Sequence, residues 1–517
     1  MVLARPLDLP LPLLMVALGG GMMFLPAVHA VLIDQHAVAR PFFYGGLIVL
    51  MMAGMVALAL SGRPMMHDSS DAWLRGYVLS YLILPPVLAW PFVEALADTS
   101  FANAWFEMLS SFTVTGATLY PDPGRLPASL HLWRGLVGWL GGFYVLVMAM
   151  AILAPRNLGG AEVLSGAVGR ATGEGAALGR LLGPGPRVAR EAALLFPIYG
   201  AVTLGLWLML VTAGEAALPA LLRAMATLST SGIVVPQGIA SAPAGLVVSG
   251  APGGILAEVM VALALMLALT RRSLPAAGRP GLTGPRGLAL DPELRLGLAV
   301  VLAAAALLWL RYLAVRIEIG AALDAGETLL AAWVALFASL SVLTTTGFVP
   351  HDWLVLVPTG QTGLSQVALL LMGLAILGGG VATTAGGVKL LRLAALVRHS
   401  AGETQRALHP HVVTGGRLRM GRASAWVAWV SFVLFALAIL AGLLILTAEG
   451  MAFEAALTFS VAALTSTGPL ADLLLPPGQA WSALSAAGKA TLAGLMVVGR
   501  VEVLALLVVL NPETWRR

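Results

Sequence analysis

Cysteine is absent from the 517 residues, which removes disulfides, zinc–thiolate centres, iron–sulfur clusters and thiol nucleophiles together. Charge is scarce as well: 11% of the residues are Asp, Glu, Lys or Arg, against about a quarter in a soluble domain. A chain so poor in charge does not have water as its main solvent. Lysine is nearly missing, with only Lys389 and Lys489, so the net charge of +5 is carried by arginine. Most of that charge lies in polar connectors between apolar runs, the pattern of a membrane topology signal and not of a nucleic-acid surface. No duplex-reading motif is present, and no nucleic-acid partner is expected. The chain also lacks a His-Glu-x-x-His, a Gly-x-Ser-x-Gly and any paired intramembrane Asp, which argues against a membrane-embedded enzyme. It carries no nucleotide-binding fingerprint of its own.

What the chain has is apolar length: 59% of its residues are hydrophobic. Runs able to cross a bilayer, which takes roughly 20 residues as a helix, recur throughout and leave no room for a soluble domain. Ten spans are expected, at 11–31, 41–61, 73–95, 131–154, 191–213, 252–270, 294–314, 363–397, 424–447 and 485–510. The first could be read as a signal peptide ending at Val28-His29-Ala30, but the second apolar run follows at once and an uncleaved first span is the preferred reading. Segment 363–397 is too long and too rich in glycine for a regular helix and is expected to be broken.

Four shorter segments, near 102–112, 218–228, 327–343 and 452–464, are expected to reach only part of the way across. Each runs into a tetrapeptide of the form Ser/Thr, any residue, Ser/Thr, Gly. These are Thr113-Val114-Thr115-Gly116, Ser229-Thr230-Ser231-Gly232, Thr344-Thr345-Thr346-Gly347 and Thr465-Ser466-Thr467-Gly468. The pattern occurs nowhere else, and the four glycines are 116, 115 and 121 residues apart. A single Thr-Thr-Gly is most simply a helix C-cap; four at matched places are an internal repeat. The fold class expected is an all-α polytopic membrane protein with four helix–pore loop–helix repeats around one pore, plus two N-terminal transmembrane helices. The division is 1–70 for those two helices, then repeats at 71–160, 185–272, 290–400 (with the broken second helix) and 422–512.

Orientation follows from arginine. Connectors 155–190, 271–295 and 389–422 hold 17 of the 30 basic residues and are expected in the cytoplasm, as are both termini. Asp98, Asp122, Asp324, Glu327, Asp352, Glu449 and Asp472 mark the opposite side.

A cation entering a low-dielectric passage must be given oxygens in place of its water, without a fixed charge that would hold it. Backbone carbonyls and hydroxyls do this. Carbonyls turn toward a common axis only in extended, partly left-handed backbone, which glycine tolerates. Short helices ending at these loops point their negative C-terminal ends at the same place. The sixteen tetrapeptide residues are therefore the expected ion-binding selectivity filter.

At this point the sequence resembles the Trk/Ktr/HKT superfamily of potassium transporters, and most closely its bacterial TrkH branch. The stretches that carry the resemblance are Ser111 to Thr118, Leu132-Trp133-Arg134, Trp139-Leu140-Gly141-Gly142, Thr344 to Phe348, and Thr383-Thr384-Ala385-Gly386-Gly387-Val388-Lys389. The resemblance implies potassium uptake across a bacterial cytoplasmic membrane, with K⁺ as the transported ion at the filter. It also implies a homodimer with a pore in each subunit, and a cytosolic nucleotide-binding, TrkA-like ring as regulator. Members with Ser in place of the first-loop glycine prefer Na⁺, so Gly116 points to K⁺. Val114, where Thr is common, and Pro469 after the fourth glycine depart from the family pattern and leave the steepness of selectivity open. The alternative is a secondary transporter, either Na⁺/K⁺ or cation–H⁺ coupled; such folds usually show two inverted repeats, whereas here four enter from one side.

Arg500 sits within the last apolar run, where a charge is costly and faces a cavity or a partner. The resemblance places it below the filter against the glycine-rich break. A gate is accordingly expected from Gly378, Gly379, Gly380, Thr383, Thr384, Gly386, Gly387 and Arg500. Glu107 and Glu454 have two open readings, bracing the filter from behind or facing the outer vestibule. His399, His409 and His411 read as a solvated basic surface, for want of further ligands at helical spacing.

Overall fold

The computed structural model describes residues 9–61, 69–120, 122–156, 158, 183–235, 254–270, 291–321, 323–356, 365–409, 422–476 and 480–510. His411 and most of the three basic connectors lie outside them. The described residues form helices and no strand.

Three helices open the chain: α1 (Leu11–Met22), α2 (Phe24–Leu32) and α3 (His36–Leu60). A Cβ on Gly46 of α3 would stand 2.9 Å from the Gly20 carbonyl of α1. Lipid tails offer no hydrophobic drive between helices, so contact depends on small residues that let backbones approach, as here.

Four units of long helix, short helix and second helix follow. The first is α4 (Ser70–Ala95), α5 (Phe101–Phe112) and α6 (Ala128–Met148); the second α7 (Pro184–Thr212), α8 (Ala217–Ser229) and α9 (Gly254–Leu265). The third is α10 (Pro292–Glu318), α11 (Ala325–Leu343), α12 (Gln366–Leu377) and α13 (Leu390–Leu408). The fourth is α14 (Arg422–Ala448), α15 (Phe453–Leu464), α16 (Pro469–Leu474), α17 (Ala486–Val501) and α18 (Val503–Leu510). Local sequence sets many of the starts. Ser69, Ser100, Asp324, Ser365 and Ser485 each accept a backbone N–H of the turn they precede, satisfying a donor with no helical partner.

Packing between units is cyclic. The second helix of each unit lies against the short helix of the next: α6 on α8, α9 on α11, α12 on α15, and α17 back on α5. The short helices are thereby surrounded, and every described residue from Phe106 to Phe112 is buried, as is every one from Phe337 to Leu343.

Seven of the ten expected spans are apolar helical stretches of at least 22 residues, with α1 and α2 running on from Leu11 to Leu32 and α6 continuing to Arg156. Three differ. The 252–270 span is helical from Gly254 to Leu269 among the described residues. Segment 363–397 is broken, as its glycines required: α12 ends at Leu377 and helix resumes at Leu390. The 485–510 span is also interrupted, at Glu502, whose φ of 66° is left-handed; no Gly or Pro marks that break. The expected part-way helix at 327–343 is longer than its counterparts, 19 residues against 12 or 13, and is long and apolar enough to span. Its surplus is an exposed N-terminal end, since Ala325, Gly326 and Glu327 are exposed and the buried run starts at Ala331. A chain with these helices is a membrane protein by length and composition.

Candidate functional site

The four tetrapeptides meet at the C-terminal ends of α5, α8, α11 and α15, and their backbones follow one design. The second residue of each is left-handed: Val114 at φ 60°, Thr230 at 57°, Thr345 at 57° and Ser466 at 57°. For β-branched Val and Thr this is a strained conformation, held only where surroundings over-determine it. The hydroxyls do that. Thr113, Ser229, Thr344 and Thr465 each donate to the carbonyl four residues back, that of Leu109, Met225, Leu340 and Val461. Each is also hydrogen-bonded to the hydroxyl two residues on, at 2.9, 3.0, 3.1 and 3.1 Å in Thr115, Ser231, Thr346 and Thr467. The third residue's N–H returns to the short helix, to Ser110, Ala226, Ser341 and Ala462. The repeated Ser/Thr pattern thus pins each loop to its own helix end.

The glycines set how closely the loops approach one another. A Cβ on Gly116 would fall on the Ser231 carbonyl, one on Gly232 on the Thr346 carbonyl, and one on Gly347 would meet Thr467 and Pro469 at 3.2 Å. A Cβ on Gly468 would lie 2.7 Å from the Thr115 carbonyl, which already accepts the Gly468 N–H at 2.7 Å. Loop one therefore abuts two, two abuts three, three abuts four, and four closes onto one. All sixteen residues are at most 3% exposed or bear no side chain. One loop departs from the others: Gly116, Gly232 and Gly347 have φ of 73°, 65° and 76°, whereas Gly468 is right-handed at −53° and leads into α16 through Pro469. Proline is favoured at a first helical position, so Pro469 turns the fourth loop into a helix start.

The glycine-rich break lies directly against this ring. The Gly386 N–H donates to the Thr345 hydroxyl at 2.7 Å, the Thr384 hydroxyl to the Leu228 carbonyl at 3.1 Å, and a Cβ on Gly386 would meet the Thr465 carbonyl. Gly378 and Gly387 are left-handed and pack on each other at the neck of the break. The Gly380 N–H reaches the Ala268 carbonyl, the Thr383 hydroxyl closes on the Gly380 carbonyl, and Gly379 sits against Ala385. Arg500 joins the two structures. Its guanidinium donates to the carbonyls of Thr113 and Val114 in loop one and to the Thr384 carbonyl in the break. It is 4% exposed and its own carbonyl accepts the Tyr77 hydroxyl at 3.0 Å. Tyr77, Tyr81, Phe112 and Tyr144 form an aromatic cluster behind loop one, with ring centroids 5.0–5.9 Å apart. The expected association of Arg500 with the break is found, through Thr384. Its bonds to loop one were not foreseen.

Of the two open acids, Glu107 is buried behind loop one: it accepts the Leu119 N–H at 2.9 Å and pairs with Arg134 at 2.7 Å. Glu454 is exposed at the start of α15. Removing one partner of a buried pair strands the other charge, so Glu107→Ala is expected to cost roughly 3–5 kcal/mol of stability. A fall in the thermal unfolding midpoint of the detergent-solubilised protein measures it, and Arg134→Ala should fall by a similar amount. Gly141 and Gly142 of α6 give passage to Phe112 of α5 and Ser229 of α8. Lys389, also left-handed, donates from its ammonium to the Ala385 carbonyl at the foot of the break. Sequence reasoning missed Glu293, whose carboxylate accepts the Val381 N–H at 2.6 Å, and nothing local announces that partnership.

The helices and the closed loop ring define an all-helical membrane protein with four short helices ending in one ring of loops. Residues 287–515 match the TrkH family of cation transport proteins. The chain is 26% identical to the Trk system potassium uptake protein TrkH of Escherichia coli K12, covering 97% of this chain and 98% of that one. It is 27% identical to the TrkH protein of Vibrio parahaemolyticus, again over 97% and 98%. The crystal structure of the potassium transporter TrkH from Vibrio parahaemolyticus superposes with a TM-score of 0.80 at 24% identity, over 99% of both chains. The chain is thus similar in sequence to the TrkH proteins and shares the fold of the Vibrio parahaemolyticus structure, as its motifs implied.

Proposed function

We propose that this chain takes up K⁺ across a bacterial cytoplasmic membrane through a single pore whose filter is the ring of four loops. The observation that carries this reading is the ring itself: loop abuts loop at four glycines, and the Gly468 N–H closes it on the Thr115 carbonyl at 2.7 Å. Carbonyls brought together at helix C-termini offer a dehydrated cation neutral oxygens and a favourable helix field. The TrkH proteins it resembles are named for potassium uptake. The four units at 71–160, 185–272, 290–400 and 422–512 are, on this reading, pore repeats about one axis.

The gate in this proposal is the break from Gly378 to Gly387. What supports this is that the break is bonded to Thr345, Leu228 and Arg500, directly against the loop ring, and that its glycines let it move. A homodimer and a cytosolic nucleotide-binding ring docked on the basic connectors complete the proposal, with both termini in the cytoplasm. Purified protein in proteoliposomes, under a clamped potential, should pass K⁺ well ahead of Na⁺. Equal flux of the two would refute the filter, and flux that moves only with an imposed proton gradient would favour a coupled transporter.

A further inference from the structure

The charges behind loop one recur with opposite sense in the second unit. Glu107 stands nine residues before Gly116, and Arg223 stands nine before Gly232. Arg134 and Glu258, in turn, both lie in the first two turns of their second helices, α6 and α9. In the first unit the short helix supplies the carboxylate and the second helix the cation. In the second unit the short helix supplies the cation, Arg223, and the second helix the carboxylate, Glu258. Arg223 is paired with Glu215 at 3.0 Å and feels the Glu258 charge, with both residues on one small cavity beside Phe337, Phe348 and Val349.

The exchange changes which loop is held. Glu107, on α5, accepts the Leu119 N–H just after its own glycine. Glu258, on α9, lies against the next unit and accepts the His351 N–H, four residues past Gly347, at 2.8 Å. Its other oxygen accepts the Trp333 indole N–H of α11 at 2.8 Å. Glu258 is 4% exposed and its donors are part-buried, so the carboxylate itself is largely withdrawn from water, and a bond to a charged acceptor is the strong kind. The geometry points to Glu258 as a positioning residue for ion selectivity: a carboxylate of the second unit that fixes the outer end of the third loop. This rests on the filter reading above, and it couples the spacing of two neighbouring loops through one side chain.

Two full-length variants test it in proteoliposomes. Glu258→Gln keeps the shape but offers one acceptor oxygen to two donors. Glu258→Ala leaves the Arg223–Glu215 pair in place and removes the acceptor for both His351 and Trp333. Amide exchange in a peptide spanning Thr344 to His351 should quicken at least about tenfold in both, the loss of one bond to a charged group. The K⁺ over Na⁺ permeability ratio should fall roughly three- to tenfold in both on the same grounds. Parent-like exchange in both variants overturns the brace, and quickened exchange with an unchanged ratio overturns its role in selectivity. A parent that does not distinguish K⁺ from Na⁺ refutes the filter instead, while exchange still decides whether Glu258 holds the loop.

Discussion

Arg500→Ala raises K⁺ flux in the absence of any partner protein, by about tenfold or more. The guanidinium spends its donors on the Thr113, Val114 and Thr384 carbonyls, so one side chain fastens the break to loop one. Each bond to a charged group contributes roughly 1.5–3 kcal/mol, and 1.4 kcal/mol is a factor of ten, so losing the Thr384 bond alone accounts for the rise. Alanine also removes a positive charge from the path by which K⁺ would leave the loops. Arg500→Lys retains the charge but has no planar fork with which to bridge loop and break, and should fall between the two. Single-channel or flux recordings on purified protein make the comparison. Conduction by Arg500→Ala at the parent rate, in a variant that folds and reaches the membrane, would show that the break is not held shut from here.

Gly116→Ser has the second large effect, on selectivity. Its φ of 73° is strained for any L side chain, and its Cβ would occupy the place of the Ser231 carbonyl oxygen. Loop two must give way, and with it the distance between oxygens that the proposed filter uses to discriminate. The K⁺ over Na⁺ ratio should fall by about tenfold or more, since a displacement costing even 1.4 kcal/mol per ion is worth that factor. The helices beneath are untouched, so expression and thermal stability should change far less. Gly468→Ala provides the contrast. At φ −53° the backbone accepts a side chain, and only the crowding against Ala117 and Thr115 opposes it. An unaltered ratio in Gly116→Ser would remove loop one from the filter.

The loops were legible in the sequence because their design is local. A hydroxyl at positions one and three, with glycine at four, is what a short helix end needs to turn over and be pinned, and the same need met four times leaves a period. The break was legible for a similar reason, glycine being out of place in a membrane helix. The interruption at Glu502 was not, since it is held by tertiary partners: its carboxylate meets Arg392 of α13 at 3.4 Å, and no breaker residue stands beside it. Glu293 and Val381, or Glu258 and His351, are 88 and 93 residues apart and find each other only when units pack. Pro469 was noticed as a departure, yet its consequence, a right-handed Gly468 opening α16, needed the fold.

The last seam of the ring bears on how the molecule is made. Loops one to three can meet as their units leave the ribosome, but the Thr115 carbonyl waits for the Gly468 N–H, a partner from the fourth unit. Arg500 comes later still. A nascent or truncated chain lacking the fourth unit therefore has an open arc in place of a ring, and neither a finished passage nor the side chain that fastens its break. On the proposed reading, filter and gate are both completed only when the fourth unit joins the other three, so a copy lacking it has no assembled route by which to leak ions.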